Sequence, residues 1–323
     1  MKISEIVYSR PMRQAMRMSP QLMSMAMPII RQLRREPVNT GASAVAKYGY
    51  AVFLQHVEMG AGIGHKRVME FGPGEGIGTG LCWLLAGADS YIALDAHPYF
   101  EQENSMRILD ELVVLFKNRE LADWEAHISW EKNLYLDYPV ISTPFPKELH
   151  PDLSEERIEA IRAAIRRQAG PVSIDYIAPW DADAPVEMAS VDLAFSQAVL
   201  EHVVDLEATY QAMGKWIKPD GKMSHSIDLR SHGTSFDLNG QWMYSAAQWK
   251  RANNRQTWRA INRTPPSEHL EMIKRAGFQI VRADRKYLRD GIKRRDIARD
   301  HKQICDDDLN TWALSVVAQR VVD

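Results

Sequence analysis

Two kinds of segment alternate along this chain: short apolar runs, and longer stretches whose apolar residues would lie on one face of a helix. Apolar runs of about four to eight residues are typical of strands buried on both faces of a sheet. Stretches in which apolar residues recur every three or four positions predict helices packed against such a sheet. Their alternation predicts an α/β fold with a mostly parallel sheet. The predicted strands are residues 67–71, 90–95, 172–177, 191–195, 222–228, 278–283 and 313–321.

The first predicted strand leads directly into a glycine-rich turn. Glycines occupy positions 72, 74, 76 and 78, and a helix is predicted from about residue 80 to 86. Glycine has no Cβ, so such a turn can adopt unusual dihedral angles and bring backbone N–H groups close to a ligand. No triplet here has the G-x-G-x-x-G spacing of the dinucleotide-binding fingerprint. The turn therefore predicts a different ligand or, as the alternative, only a tight strand-to-helix connection.

With Glu70 at the end of the strand, the turn reads E-x-G-x-G-x-G. This pattern resembles the first motif of the Rossmann-like (class I) methyltransferases that use S-adenosylmethionine. In that family the acidic residue and the turn hold the methionine end of the cofactor, whose ammonium group attracts a carboxylate. The resemblance implies cofactor contacts for Glu70, Gly72, Gly74 and Gly76. It also implies a seven-stranded, mostly parallel sheet with helices on both faces.

The second predicted strand ends in Asp95, about 20 residues beyond the glycine turn. An acidic residue at this place can accept hydrogen bonds from both hydroxyls of a ribose. Dehydrogenases and methyltransferases share this device, so Asp95 favours a nucleoside-containing ligand without distinguishing between them. A solvated carboxylate at the end of a strand is the alternative.

Two later segments also resemble motifs of the methyltransferase family. The loop after the third strand contains Asp181 and Asp183, and an Asp of this loop contacts the adenine amino group in the family. We choose Asp181, with Asp183 as the alternative, because a small shift in alignment exchanges them. Residues 196–203, Ser-Gln-Ala-Val-Leu-Glu-His-Val, resemble the fourth motif, which implies that Ser196 and Gln197 face the sulfonium. The resemblance covers about residues 68–229, interrupted by residues 97–170.

Candidate general bases follow the fourth and fifth strands. In-line methyl transfer needs an aligned nucleophile and, for a hydroxyl acceptor, removal of its proton. Histidine titrates near neutral pH and can accept that proton. We rank His225 first, Asp228 second and His232 third, and His202 is either a further candidate or a structural residue at a helix start. No metal is expected, because the spacing of these residues is not that of a standard metal site.

The regions outside the motifs suggest two additions to the methyltransferase domain of residues 66–323. Residues 1–65 predict an N-terminal helical extension, with helices near residues 19–35 and 43–58. The extension is expected to pack on the domain, with a lid or a peripheral contact with a membrane as alternatives. Residues 97–170 exceed a plain crossover and predict a helical insertion between the second and third strands. The insertion would cover part of the active site or form a homo-oligomer interface.

Composition narrows the class of protein and its compartment. The 323 residues carry a net charge of −2 and are 45% hydrophobic, as in an ordinary globular protein. The near-neutral charge disfavours nucleic acid as a partner. Two cysteines, Cys82 and Cys305, suggest a reducing compartment. Without a signal peptide or an apolar run long enough to span a bilayer, the chain is expected to be cytoplasmic.

The expected function is transfer of a methyl group from S-adenosylmethionine to a sugar or related hydroxylated small molecule. The long insertion and residues 224–228 resemble bacterial methyltransferases of glycan or secondary biosynthesis. Residues 239–244 combine aromatic and amide side chains, which suit a sugar ring, although Trp242 alternatively fills the edge of the core. N- or C-methylation of another metabolite stays open. A nicotinamide-dependent oxidoreductase lacks its glycine spacing here, and a non-catalytic binding protein would be expected to have lost motif residues.

Overall fold

The computed structural model describes residues 44–123, 142–232, 234–235, 237–252 and 260–321. Its strands are β1 (Arg67–Phe71), β2 (Ser90–Leu94), β3 (Ala122–Asp123), β4 (Ser142–Thr143), β5 (Ser173–Ile177), β6 (Val191–Gln197), β7 (Ile217–Asp228), β8 (Phe278–Tyr287) and β9 (Thr311–Arg320). Its helices are α1 (Ala46–His56), α2 (Gly78–Leu85), α3 (Gln102–Asn118), α4 (Glu155–Ile165), α5 (Leu206–Trp216), α6 (Ala246–Ala252), α7 (Pro266–Arg275) and α8 (Asp306–Asn310).

The main sheet has seven strands in the order β5-β2-β1-β6-β7-β9-β8. Strands β5, β2, β1, β6 and β7 are parallel, and β9 lies antiparallel between β7 and β8. The predicted seven-stranded, mostly parallel sheet is therefore confirmed. The strand order reverses at β1, which pairs with β2 on one side and β6 on the other. Open parallel sheets bind ligands outside the carboxyl ends of the strands at such a switch point.

Helices cover both faces of the sheet, because each face is lined by apolar side chains that must be removed from water. On one face, Phe53, Trp83 and Ile108 from α1, α2 and α3 form a buried cluster. On the other face, Tyr210 from α5 and Ile273 from α7 form a second buried cluster with residues of β1, β6 and β7. The core thus consists of two layers separated by the sheet.

The described part of the N-terminal extension is integrated into this core. Phe53 and Leu54 of α1 are fully buried. A Cβ added to Gly49 would lie 2.6 Å from the carbonyl carbon of Gly78, so α1 crosses the glycine turn in close contact with the start of α2. The helix predicted near residues 19–35, and with it the lid or membrane contact, lies outside the described residues.

The region predicted as a helical insertion contains α3, the two-stranded pair β3–β4 and α4 among its described residues. Leu109 and Leu112 of α3 and Ile161 and Ile165 of α4 are buried in the first core layer. These helices therefore pack on the sheet itself. No helix in the described part of the chain is long and apolar enough to cross a membrane.

Candidate active site

The glycine turn is shaped by two residues that occupy the left-handed region of dihedral space. Gly72 has φ +63° and Gly74 has φ +72°. Residues with a Cβ atom rarely adopt such angles. A Cβ on Gly72 would also lie 2.6 Å from Cγ2 of Val199, in the segment that follows β6. The glycine turn therefore packs directly against the segment after β6, and a side chain at position 72 would not fit between them.

Asp95 connects the turn to the end of β2. Its Oδ2 accepts a hydrogen bond from the backbone N–H of Gly74 at 2.9 Å, and its Oδ1 accepts one from the N–H of His97 at 3.1 Å. Only 5% of Asp95 is exposed. The structure thus places Asp95 beside the glycine turn, as the sequence motif requires, and its contact with a ribose stays a prediction.

Glu70 lies beneath the turn with its carboxylate buried. The hydroxyl of Tyr91 donates to Oε2 at 2.5 Å, a partner for which the sequence gives no signal beyond the place of Tyr91 in an apolar run. Burial raises the pKa of Glu70 to about 8. The negative charge of nearby Asp95 also raises this pKa, whereas the hydrogen bond from Tyr91 lowers it. Glu70 therefore joins β1 to β2 under the turn, and a contact with the cofactor ammonium stays a prediction.

The loop after β5 brings an aromatic side chain to the same edge of the sheet. The ring of Trp180 packs edge-on against Phe71 at the end of β1, with centroids 5.0 Å apart. Asp181 and Asp183 are both exposed, and Oδ1 of Asp181 accepts a hydrogen bond from the N–H of Asp183 at 2.9 Å. This bond shapes the loop and does not decide which aspartate meets an adenine. The sequence motifs do not identify Trp180, which borders the turn more closely.

Ser196 and Gln197, at the end of β6, have different environments. Ser196 is fully buried, and its Oγ lies 2.8 Å from Nδ1 of His225. Its side chain is thus used inside the protein, so the cofactor contact expected of Ser196 could involve only its backbone. The side chain of Gln197 is half-buried, and among the described residues its Oε1 has no hydrogen-bond partner. An unpartnered amide oxygen at the end of β6, next to the end of β1, fits a bound polar cofactor.

His225, our first-ranked base, lies in the core. It is fully buried on the inward face of β7, with its ring 6.3 Å from that of Tyr210. Burial, followed by nearby His56 and His269, lowers the pKa of His225 to about 3. The alternation of side chains along β7 directs His225 inward. The first rank of His225 among the candidate bases is therefore corrected, because its fully buried imidazole cannot contact an acceptor molecule.

The other three candidate bases meet beyond the ends of β6 and β7. Oδ2 of Asp228 lies 3.4 Å from Nε2 of His232, and the rings of His232 and His202 are 5.0 Å apart. Nδ1 of His202 lies 2.7 Å from the carbonyl oxygen of Ala260. Burial, followed by nearby His232, lowers the pKa of His202 to about 4. The arrangement holds neutral imidazole beside a carboxylate that also pairs with Arg230.

Glu201 is a fourth acid–base group at this place, and the sequence prediction missed it. It is 2% exposed and follows β6 in the Leu-Glu-His triplet that was used only as a family motif. Burial, followed by the charge of Asp228, raises the pKa of Glu201 well above its usual range. Its Oε1 lies 3.8 Å from Nε2 of His202. The triplet itself was the available signal, since it places an acid next to a histidine.

A small cleft borders this cluster, and its lining includes Glu201, Asp228, Gln241, Trp242 and Arg263. Trp242 is only 5% exposed and packs against His301, so it fills the edge of the core and presents little of its ring. Its lining combines these polar side chains with apolar ones such as Leu229 and Ile261, so the cleft can contact both polar and apolar groups of an acceptor molecule.

Comparisons with known proteins identify the family of this chain and several similar solved structures. A family model described as a methyltransferase domain matches residues 56–283. No curated protein matches the sequence. The S-adenosylmethionine-dependent methyltransferase of Mesorhizobium loti is 15% identical, with 85% of this chain and 98% of that chain covered and a TM-score of 0.41. One from Methanosarcina mazei is 12% identical, with 80% and 93% covered and a TM-score of 0.41.

Proposed function

The chain belongs to the methyltransferase domain family as a class I enzyme that uses S-adenosylmethionine, and we propose that it methylates a hydroxyl oxygen of a small polar molecule such as a sugar. The observation that carries this proposal is the acid–base cluster of Asp228, His202 and His232, of which Asp228 lines the cleft. A hydroxyl must lose a proton during methylation, so an oxygen acceptor has the greatest need of such a cluster.

The cluster supports proton removal through the carboxylate of Asp228, which lies close to His232 and lines the cleft. S-adenosylmethionine, when bound, supplies a methyl group on a positively charged sulfur. With the methyl donor bound, the acceptor oxygen would take the methyl group and the Asp228 carboxylate would accept the hydroxyl proton. Arg230 holds this carboxylate in place, because its Nε lies 2.8 Å and 2.9 Å from the two carboxylate oxygens.

The side chains of the cleft support a hydroxylated acceptor. Nε2 of Gln241 donates to the carbonyl oxygen of Leu229 at 2.9 Å, which leaves Oε1 of Gln241 buried and unpartnered among the described residues. This oxygen can accept a hydrogen bond only from a donor such as a hydroxyl. Arg263 lies on the same cleft and can donate to acceptor oxygens. Hydroxyl groups both donate and accept, so a sugar or polyol matches both residues.

The test is a labelled-methyl transfer screen with S-adenosylmethionine over nucleotide sugars, free glycans, amines and carbon acids, with the methylated atom identified by NMR. We expect label on a hydroxyl oxygen of a sugar or related molecule. Label on nitrogen or carbon would contradict the proposed acceptor. Absence of transfer to every class, in folded protein that binds the cofactor, would contradict it as well.

A further inference from the structure

Three potential metal ligands converge beyond the ends of β6 and β7, and one of them, Glu201, also lines the cleft. We propose that Glu201, His202 and His232 bind a divalent first-row transition ion such as Zn²⁺. One carboxylate and two imidazoles form a donor set that such ions favour, with positions left for a water or an acceptor oxygen. Motif spacing does not predict this site, because a helix and a strand separate Glu201 from His232 in the chain.

The spacing of the donor atoms suits an ion. One ligand atom from each of the three residues lies within 4.8 Å of the other two, and Nε2 of His202 is 3.8 Å from Oε1 of Glu201. Ligands at about 2.1 Å from a tetrahedral ion lie about 3.4 Å apart. Small side-chain rotations therefore close the site without movement of the backbone.

The hydrogen bond of His202 assigns the tautomer that an ion requires. The carbonyl oxygen of Ala260, 2.7 Å from Nδ1, can only accept, so Nδ1 carries the proton. Nε2 then presents its lone pair on the side of Glu201. Histidine ligands in metal sites are commonly oriented in this way by a backbone carbonyl. Ala260, which is distant in the sequence, thus holds His202 in the tautomer and orientation that a metal ligand requires.

The loop that carries these ligands is held in place by Asn262. Its Nδ2 donates to the carbonyl oxygens of Leu200 at 2.7 Å and Val203 at 2.9 Å. Its N–H donates to the carbonyl oxygen of Glu201 at 2.8 Å. These three bonds fix the backbone on both sides of Glu201 and His202, which gives the two ligands a rigid support.

Buried polar atoms of the cluster lack partners of their own. Both carboxylate oxygens of Glu201 and Nε2 of His232 are buried without a hydrogen bond among the described residues. Burial of a carboxylate without a partner is costly, and a cation is one group that removes the cost. Backbone N–H groups of Glu201 and Asp228 lie near the carboxylate but form no hydrogen bond of normal geometry with it.

The charges around the cluster also allow a cation. Asp228 pairs with Arg230, whose Nε lies 2.8 Å and 2.9 Å from the two carboxylate oxygens, so these two charges largely offset each other. An ion would be bound by a carboxylate oxygen of Glu201 and by one imidazole nitrogen each of His202 and His232. A divalent ion would lower the pKa of a bound acceptor hydroxyl, a catalytic role that rests on the proposed function. Metal binding itself does not depend on that function.

The experiment is calorimetry with Zn²⁺ on protein freed of metal by a chelator. We expect one equivalent of Zn²⁺ to bind, with affinity reduced at least tenfold in Glu201→Gln, His202→Ala and His232→Ala. The exposed His150 supplies a matched control, and His150→Gln should bind Zn²⁺ like the parent protein. With Co²⁺ in place of Zn²⁺, the visible absorption of a low-coordinate site should appear and be lost in the two His→Ala variants of the site.

Failure to bind Zn²⁺, or equal affinity in the three variants, would overturn the site. Glu201→Gln keeps the size of the side chain, so circular dichroism should find at least this variant folded. Labelled-methyl transfer is measured separately, with and without chelator. Transfer that is unchanged in metal-free protein would overturn the catalytic role of the ion and leave the proposed function standing. Zn²⁺ binding without transfer to any hydroxyl would overturn the proposed function and leave the metal site standing.

Discussion

The two halves of the candidate site satisfy their buried polar groups in opposite ways. In the cofactor half, formed by β1, the glycine turn and β2, both oxygens of Asp95 accept backbone hydrogen bonds and Glu70 accepts one from Tyr91. In the acceptor half, beyond β6 and β7, the carboxylate oxygens of Glu201 and Oε1 of Gln241 are buried without partners in the described part of the chain.

The cofactor half is therefore a preorganised cradle, in which the polar groups already hydrogen-bond to each other. The acceptor half keeps polar atoms that can still form hydrogen bonds with a ligand. Buried polar groups are nearly always paired, so unpartnered atoms gathered at one place call for a ligand or an ion. A cradle tied by its own hydrogen bonds should tolerate changes in the acceptor half. Changes in each half should therefore affect different measured quantities, and the variants below test that separation.

Asp228→Asn should have the largest effect. Loss of the carboxylate should lower turnover in the labelled-methyl assay by about 10²–10⁴-fold, because proton removal from the acceptor loses its charged partner. Affinity for S-adenosylmethionine, measured by calorimetry, should change by less than about twofold. Asp220→Asn, an exposed position near the other end of β7, is the control. A comparable loss of cofactor affinity in Asp228→Asn would break the separation between the halves.

His225→Ala should lower the free energy of unfolding by about 3 kcal/mol, because it leaves Ser196 unpaired and opens a cavity in the core. Urea unfolding measures this change. Turnover of the folded variant should stay within about threefold of the parent protein. A large loss of turnover with unchanged stability would instead restore His225 as the base.

Asp95→Ala should raise the dissociation constant of S-adenosylmethionine about 100-fold, or about 2.7 kcal/mol, since the cradle loses the acceptor for two backbone N–H groups and its contact with a ribose. Calorimetry measures the change, and Asp175→Ala, at an exposed position of the edge strand β5, is the control. Unchanged affinity would remove Asp95 from the cofactor site.

The pH dependence of stability should show the smallest effect. Burial lowers the pKa of His56, His225 and His269 to about 3. The stability that these neutral imidazoles contribute is present above about pH 6.5, the unfolded pKa, and is lost as pH falls towards 3. Glu70 and Glu201, whose pKa values are raised, act in the opposite direction. The pH dependence of stability is therefore best compared between the parent protein and His225→Ala, since the contributions of the two glutamates are common to both.

Between pH 6 and pH 5, the free energy of unfolding of the parent protein should decrease by about 1.4 kcal/mol per pH unit more than that of His225→Ala. Urea unfolding at the two pH values measures both slopes. Parallel slopes would mean that His225 binds a proton in the folded protein, in conflict with its burial.

Much of the cofactor half is local in the chain, and this is why the sequence motifs predict it. The apolar runs of β1 and β2 and the glycines between them determine two parallel strands and a turn. Asp95 ends the second strand, so its proximity to Gly74 follows from the pairing of β1 and β2. The partner of Glu70 does not follow, because Tyr91 is one of several apolar residues along β2.

The acceptor half depends on contacts between distant residues. The pairing of β6 with β7 sets Ser196 opposite His225, which places that histidine in the core and removes it from the cleft. The carbonyl oxygen of Ala260 fixes His202, and the turn after β7 brings His232 towards Glu201. The sequence by itself determined the sheet and the glycine turn, because periodicity and motif spacing act over neighbouring residues, and the resemblance of the motifs to the methyltransferase family implied the cofactor. Only the tertiary structure decided which acids and histidines meet, because their distances depend on strand register and on the paths of long loops.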